Sequence, residues 1–268
     1  MSTLLLRLAG PQQSWGSSSR FGDRGTGLEP TKSGVLGLVA AALGRPRPAA
    51  VDDLFALRFG VRTDRRGGLE IDLHTVLGVV LQETGKINPN ALLTHRAYLA
   101  DADFLAGLEG EHDFLATIAD AILTPVFPLC LGRRAFPPSE PIVVSEEWRA
   151  AGIERRDVVM PPPSLVELTL EGALCSAPWR LRRNEARPVA PFIVSLEADS
   201  SSAETLFADQ MAPGSTFADR HYMPRGVRHI LLRRDDVPLM SAWPDASRAP
   251  IATLPGPLTS APDSGGAA

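Results

Sequence analysis

Cysteine is scarce in this sequence, which has only Cys130 and Cys175 among its 268 residues. The two lie far apart and form no C-x-x-C motif, so neither a disulfide framework nor a zinc site is predicted. Long apolar runs are also missing, because Val35 to Leu43 covers about half of the roughly 20 residues that a membrane-spanning helix needs. The apolar start, Leu4 to Leu8, is interrupted by Arg7 and is too short for a signal peptide. We therefore expect a cytoplasmic protein with no membrane partner.

Lysine is equally scarce, with only Lys32 and Lys86, so arginine supplies nearly all of the 27 basic residues. A guanidinium group binds phosphate through paired hydrogen bonds and stacks on bases, which an ammonium group does not. A genome rich in G and C produces the same composition, so this observation alone leaves both explanations open. The net charge of −4 argues against a nucleic-acid partner if it is averaged over the whole chain.

The charges are, however, unevenly distributed. Residues 235–268 are rich in Ala, Pro, Ser and Gly, a composition that predicts a disordered tail. Asp101 to Thr124 carries six acidic residues and no Lys or Arg, which predicts an acidic surface that faces solvent or a protein partner. Arg220 to Arg234 carries five arginines and no acidic residue. The near-neutral total therefore conceals basic segments that form one binding face if the fold brings them together, and a scattered solvated surface if it does not.

The hydrophobic pattern alternates between strands and helices, which indicates an α+β fold. Apolar residues recur from Val35 to Leu43 at helical spacing, with Thr31 or Ser33 as the N-cap and Gly44 in the left-handed position at the end. A second helix is predicted over His112 to Leu123. The predicted strands are Leu4 to Leu8, Phe59 to Arg62, Leu69 to Leu73, Val166 to Leu170 and Arg228 to Leu232. This order is typical of an RRM-like or ferredoxin-like layer.

Motifs for phosphate binding are present only in weak form. Lys32-Ser33 is not part of a P-loop, because Thr31 and Thr26 stand where that motif needs glycine. A helix that begins at Lys32 still offers free N–H groups to one phosphate. Gly132-Arg133-Arg134 predicts a tight turn with two phosphate donors, and two solvated arginines on a turn are the alternative.

Several motifs together resemble the CasD family of subunits of the type I-E CRISPR surveillance complex, Cascade. They occur in the family's order: LLLRLAGPQQSWG, Arg20-Phe21, PTKSGVLGLVAAALG, DLHTVLG, RAYLADADF, PLCLGRRAFPP and FADRHY. The resemblance runs from Leu4 to His229 and is looser between Gly132 and Phe217. It implies a RAMP-superfamily protein with an RRM-like domain over residues 1–140, a protruding thumb at about 76–96 and a smaller β-rich C-terminal part over 141–234.

The resemblance also implies a function without catalysis or cofactor. Such a subunit binds the five-prime handle of the guide RNA, caps the filament of backbone subunits, contacts the large subunit and reaches target DNA only indirectly, through the complex. The glycine-rich loop would be LGRRAFPP. The residues expected to contact RNA are Trp15, Arg20, Arg24, Thr31, Lys32, Ser33, His74, Arg96, Gly132, Arg133, Arg134, Arg220 and Tyr222.

Two other functions remain open at the level of the sequence. Family relatives in type I-C systems cut CRISPR repeat RNA without a metal ion, which needs a general base and a cation at the scissile phosphate. For such a metal-independent endoribonuclease the sequence offers one set of three residues, in which His74 acts together with Lys32 or with Tyr98. A protein-binding adaptor that uses the acidic segment Asp101 to Thr124 is the other alternative.

Overall fold

The fold is described from a computed structural model, which covers residues 1–16, 19–20, 22–80, 85–88, 90–143, 164–180, 190–237 and 239–240. Its helices are α1 (Lys32–Ala42), α2 (Asp52–Phe55), α3 (His112–Leu123) and α4 (Leu170–Ser176). Its strands are β1 (Ser2–Ala9), β2 (Gln12–Gln13), β3 (Ser19–Arg20), β4 (Asp23–Arg24), β5 (Arg58–Arg65), β6 (Gly68–Val76), β7 (Leu92–Ala100), β8 (Asp103–Gly110), β9 (Leu165–Val166), β10 (Trp179–Arg180), β11 (Phe192–Glu197), β12 (Thr205–Met211), β13 (Tyr222–Leu232) and β14 (Leu239–Met240).

One antiparallel sheet of seven strands, in the order β12-β13-β11-β5-β8-β1-β9, organises the chain. Strand β1 is buried on both faces, which explains its run of leucines where a half-exposed strand would alternate. Leu4, Leu6 and Leu8 join the core that contains α1 and α3, whereas Leu5 joins a second cluster that contains α4. The molecule is therefore a mixed α+β fold with helices on both sides of the sheet.

Both predicted long helices are confirmed. In α1 the Thr31 hydroxyl accepts a hydrogen bond from the backbone N–H of Gly34, and Gly44 has a φ of 72° just after the helix ends. In α3 the Glu111 carboxylate caps the first turn by accepting from the N–H groups of Asp113 and Phe114. Caps at both ends of a periodic apolar pattern made α1 readable from the sequence, whereas α3 was readable from its apolar pattern and from Pro125 just after it.

The strand predicted over Val166 to Leu170 is mostly wrong. Strand β9 ends at Val166, and α4 begins at Leu170, where the Thr169 hydroxyl accepts from the N–H of Gly172. Leu170, Ala173 and Leu174 are buried against the sheet at i, i+3 and i+4, a short helical pattern that the alternation before it concealed.

The expected boundary near residue 140 does not separate two sheets. Strands β11, β12 and β13 extend the main sheet because β11 pairs with β5. The predicted tail also begins too early, since residues 234–236 form a 3₁₀ turn and β14 pairs in parallel with β10. The remainder of the predicted tail, residue 238 and residues 241–268, lies outside the described part of the chain.

The acidic segment Asp101 to Thr124 is only partly a surface. Asp103 and Glu109 are buried and form ion pairs with Arg7 and Arg58. The exposed acidic residues of this segment are Asp101, Glu111, Asp113 and Asp120. Two of its six charges therefore stabilise the sheet and do not face a partner.

A long hairpin, β6 and β7, leaves the main sheet between β5 and β8. Its pairing runs from Gly68 opposite Ala100 at the base to Val76 opposite Leu92 towards the tip. On its other edge β7 pairs with β2 and, in parallel, with β4, so the hairpin belongs to a second, smaller sheet. This smaller sheet carries Arg24 on β4 and Arg96 on β7.

Candidate nucleic-acid interface

Three arginines from three distant segments meet beside the hairpin. The parallel pairing of β4 with β7 places Arg24 next to Arg96. The Nη2 group of Arg133 donates to the backbone carbonyl oxygen of Arg24 at 3.1 Å. Burial lowers the pKa of Arg133, and the positive charges of Arg96 and Arg24 lower it further. Of the arginines expected to contact RNA, Arg24, Arg96 and Arg133 thus form one cluster, with Arg134 next to it in the chain, and we call these four the arginine cluster.

Few acidic groups neutralise this cluster. Within the described residues, no carboxylate forms an ion pair with a member of the arginine cluster, whereas Arg7, Arg45, Arg58, Arg62, Arg225, Arg228 and Arg233 are all paired. A surface group of cations without such partners attracts polyanions, because it neutralises phosphates and releases their counterions.

The turn that carries Arg133 requires glycine before it. Gly132 has a φ of 90°, and a Cβ atom there would lie 1.7 Å from the backbone oxygen of Ser14. The N–H of Leu131 donates to the oxygen of Phe136, and the N–H of Phe136 donates to the oxygen of Arg133, which closes the turn. The Arg133 guanidinium lies 5.7 Å from the centre of the Phe136 ring. The local backbone therefore fixes the position of Arg133, and it leaves the next residue exposed.

Trp15 does not belong to an exposed RNA site, contrary to expectation. Its side chain is fully buried, and its indole N–H donates to the Oε1 atom of Gln13 at 3.1 Å. Its backbone N–H donates to the Thr26 hydroxyl, and its oxygen accepts from Gly27. The ring packs against Gly34 so closely that a Cβ there would approach it to 3.0 Å. Trp15 is a core residue that joins the loop after β4 to the start of α1.

Lys32 is also a wrong expectation, because it is buried. Its Nζ atom forms an ion pair with Glu197 at 3.0 Å, and its backbone N–H donates to Asp209 at 2.8 Å. The carboxylate of Asp209 is held in turn by the guanidinium of Arg225 through two bonds of 2.8 Å. A carboxylate of the same chain therefore occupies the helix N-terminus where a phosphate was expected, and burial lowers the pKa of Lys32. Thr31 is buried as the cap, and Ser33 is half-buried.

Replacing Lys32 by Met should lower the free energy of unfolding by about 2 kcal/mol, measured by urea denaturation. Breaking a buried ion pair costs about 3 to 5 kcal/mol, and we expect less here because the Glu197 side chain is 25% exposed. The double variant Lys32→Met with Glu197→Gln should recover part of this loss. Weakened RNA binding at unchanged stability would instead restore Lys32 to the binding site.

Glu29 anchors the same loop three residues before Lys32. The Ser195 hydroxyl donates to its carboxylate at 2.8 Å, and Nδ1 of His229 lies 3.1 Å from the same hydroxyl. Burial raises the pKa of Glu29, and the hydrogen bond from Ser195 partly opposes this. The loop between β4 and α1 is thus held by β11, β12 and β13 at Glu29 and at Lys32. The C-terminal strands consequently help to position Arg24.

The basic face expected from Arg220 to Arg234 is largely neutralised. Arg225 pairs with Asp209, Arg228 with Glu171, and Arg233 with Asp236. These acidic partners come mainly from other parts of the chain, so the local sequence gave no sign of them. Three of the five arginines in this segment are therefore in ion pairs with carboxylates of the same chain, and the pair of Arg225 with Asp209 is buried.

Arg220 and Tyr222 are exposed, but their contacts lie elsewhere than the arginine cluster. Arg220 lies over the ring of Phe217 at 6.0 Å and donates to its backbone oxygen. Phe217 packs against Phe55 of α2. Tyr222 pairs with Met211 at the end of β12. Both therefore lie at the β12–β13 edge of the main sheet.

His74 and Arg20 lie on the strands around the cluster. His74 is exposed on β6 opposite Thr94, two residues along β7 from Arg96. The backbone of Arg20 pairs with Asp23 in the short hairpin of β3 and β4, while its side chain lies outside the described part of the chain.

The sequence did not reveal the roles of Glu29 and Asp209, because their partners come close to them only through the folding of distant strands.

No metal site emerges from the part of the chain that the structure covers, where no group of three or more His, Cys, Asp or Glu side chains is placed to hold an ion. The helices in these same residues are also too short or too polar for any to cross a membrane.

The geometry defines a class: an α+β protein with a mainly antiparallel sheet and a glycine-dependent turn that presents arginines beside a projecting hairpin. The model of the CRISPR-associated protein (Cas_Cas5) family matches residues 3–228. The Cascade subunit CasD of Escherichia coli strain K12 is 39% identical over 160 residues, which cover 53% of this chain and 69% of the relative. The chain therefore belongs to the Cas5 family of CRISPR-associated proteins, which confirms the resemblance drawn from its motifs.

Solved structures agree with this assignment. A crystal structure of a Cas protein is 39% identical, with a TM-score of 0.66, and the match covers 88% of this chain and 97% of the other. A chain of a CRISPR RNA-guided surveillance complex is 32% identical, with a TM-score of 0.62, and the match covers 88% of this chain and 92% of the other. Both similarities extend well beyond the quoted motifs.

Proposed function

We propose that the chain is an RNA-binding subunit of a type I-E CRISPR surveillance complex, Cascade, and that it binds the five-prime handle of the guide RNA. The observation that carries this proposal is the convergence of Arg24, Arg96 and Arg133 from three segments, with no acidic partner in ion-pair contact among the described residues. Single-stranded RNA is bound through phosphate donors and stacking surfaces, and guanidinium groups provide both.

The fold supports an RRM-like identity for the first part of the chain. If the insertions β2 to β4, α2 and the β6–β7 hairpin are set aside, the elements follow one another as β1, α1, β5, β8, α3 and β9. The strands lie in the order β5-β8-β1-β9, all antiparallel. This succession of elements is the ferredoxin-like βαββαβ pattern. We assign the hairpin of β6 and β7 as the thumb, which starts at its base with Gly68 opposite Ala100 and so includes more of the chain than the expected 76–96.

The same hairpin fits a role in assembly. Leu69, Ile71 and Leu73 alternate along β6 and are 58 to 66% exposed. Their spacing puts them on one face of the strand, while Asp72 and His74 lie on the other. Exposed apolar patches of this kind mark surfaces that other proteins cover. We assign this aliphatic face to a neighbouring subunit, such as the backbone or large subunit, and the polar face to RNA.

We propose that the subunit acts without catalysis. The alternative trio for cutting RNA is not assembled, because the Lys32 ammonium is buried against Glu197. Tyr98 is opposite Glu70, whereas His74 is opposite Thr94, so Tyr98 and His74 are about four residues, or roughly 13 Å, apart along the hairpin. General acid–base catalysis needs groups within hydrogen-bond reach of one reacting centre.

One binding experiment separates these functions. The full chain is mixed in EDTA with guide RNA that carries its own handle and, in parallel, with guide RNA whose handle is scrambled. We expect tighter binding of the native handle and RNA of unchanged length. Equal binding of both RNAs would contradict the handle assignment, no binding at all would favour the adaptor, and a discrete cut lost in His74→Ala would favour the endoribonuclease.

A further inference from the structure

Asp72 is an acidic residue that lies beside the arginine cluster. In the hairpin it is directly opposite Arg96, and directly opposed residues of antiparallel strands share a face of the sheet. Its negative charge raises the pKa of Arg133, against the effect of Arg96 and Arg24. Asp72 is therefore close to the three arginines at the point where we place the RNA.

Asp72 does not neutralise these arginines by direct pairing. It is exposed, and among the described residues it forms no ion pair within 4 Å. The contrast is with Asp209, which is buried and receives two bonds of 2.8 Å from Arg225. Asp72 is thus an exposed acidic residue beside the cationic surface.

A carboxylate at such a position selects which part of RNA can face it. It repels phosphate groups, so the adjacent ligand group must be a hydrogen-bond donor. The strongest donors on RNA are the amino and imino groups of the bases, and carboxylate side chains accept from base amino groups. Tyr98 lies two residues along β7 towards the hairpin base, where its half-buried ring packs against that of Phe136 at 5.9 Å.

We propose that Asp72 is a specificity-determining residue, which accepts a hydrogen bond from the exocyclic amino group of one handle nucleotide while Arg96 and Arg133 bind the flanking phosphates. The inference rests on the proposed function. It adds a base-reading group to a site that otherwise contacts only the backbone of RNA.

The test removes amino groups from RNA one at a time. Handle RNA from the organism's own repeat is prepared with inosine for guanosine, purine riboside for adenosine, or a pyrimidinone riboside for cytidine at single positions. We expect one such replacement to weaken binding to the wild-type chain about tenfold. The Asp72→Ala variant should bind the unmodified handle with a similar loss and should no longer respond to that replacement.

Controls distinguish this inference from the function on which it rests. Asp199→Ala removes one exposed negative charge from the turn after β11 and should retain the wild-type response. If Asp72→Ala strengthens binding of all RNAs equally, Asp72 only repels phosphate and the inference is wrong. A loss reproduced by a 2′-deoxy substitution in place of amino removal would also overturn it. If Arg133→Ala with Arg134→Ala binds the handle like the wild type, the proposed function itself fails.

Discussion

Replacing Arg133 and Arg134 together by alanine should weaken binding of handle RNA by about a hundredfold. Arg133 is fixed by its bond to the backbone of Arg24 and by the Phe136 ring, and Arg134 is exposed beside it. Hydrogen bonds to charged groups contribute about 1.5 to 3 kcal/mol each, so the loss of two gives roughly 3 kcal/mol. The effect is measured by titrating labelled handle RNA with the full chain.

A matched variant controls for the loss of positive charge. Arg47→Ala with Arg233→Ala removes two exposed arginines away from the hairpin, one of them paired with Asp236. We expect this variant to bind the handle within about twofold of the wild type, because distant charges are screened at physiological salt. An equal loss in both double variants would show that net charge, and not the arginine cluster, determines binding.

Replacing Gly132 by alanine should destabilise the protein by about 4 kcal/mol and abolish handle binding. The φ of 90° is unfavourable for any side chain, and the added Cβ would lie 1.7 Å from the Ser14 oxygen, so the backbone must move. The turn that positions Arg133 would then be lost with it. Urea denaturation measures the first effect and RNA titration the second.

Gly214 offers the comparison that separates backbone strain from collision. It has a φ of 76°, and a Cβ there would meet nothing within 4 Å. Gly214→Ala should therefore cost only about 1 to 2 kcal/mol and leave RNA binding unchanged. Similar losses in the two variants would mean that close contact with Ser14 does not hold the turn.

The sequence predicted local structure well where caps and periodicity agreed. Helix α1 was found because Thr31, Gly44 and a regular apolar pattern mark its limits, and α3 was found from its apolar pattern and from Pro125 after it. It failed for α4, where three apolar residues at alternating positions, Val166, Leu168 and Leu170, suggested a strand and concealed the helical spacing that begins at Leu170. A short helix of seven residues leaves too little pattern to outweigh its neighbours.

The site was predictable only in part. Arg133 and the need for Gly132 are visible in the local sequence, whereas the meeting of Arg24 with Arg96 follows from strand pairing. Lys32 was misassigned because its partners, Glu197 and Asp209, lie 165 and 177 residues away. Burial and ion pairing over such separations are properties of the whole fold, and no local pattern contains them.

The salt dependence of handle binding tests the central claim most directly. For single strands, log K falls with log salt by about 0.7 for each phosphate that the protein neutralises. If Arg133 and Arg134 contact two phosphates, their joint replacement by alanine should reduce the magnitude of this slope by about 1.4, while Arg47→Ala with Arg233→Ala leaves it unchanged. An identical slope in the wild type and in the Arg133→Ala, Arg134→Ala variant would contradict the account.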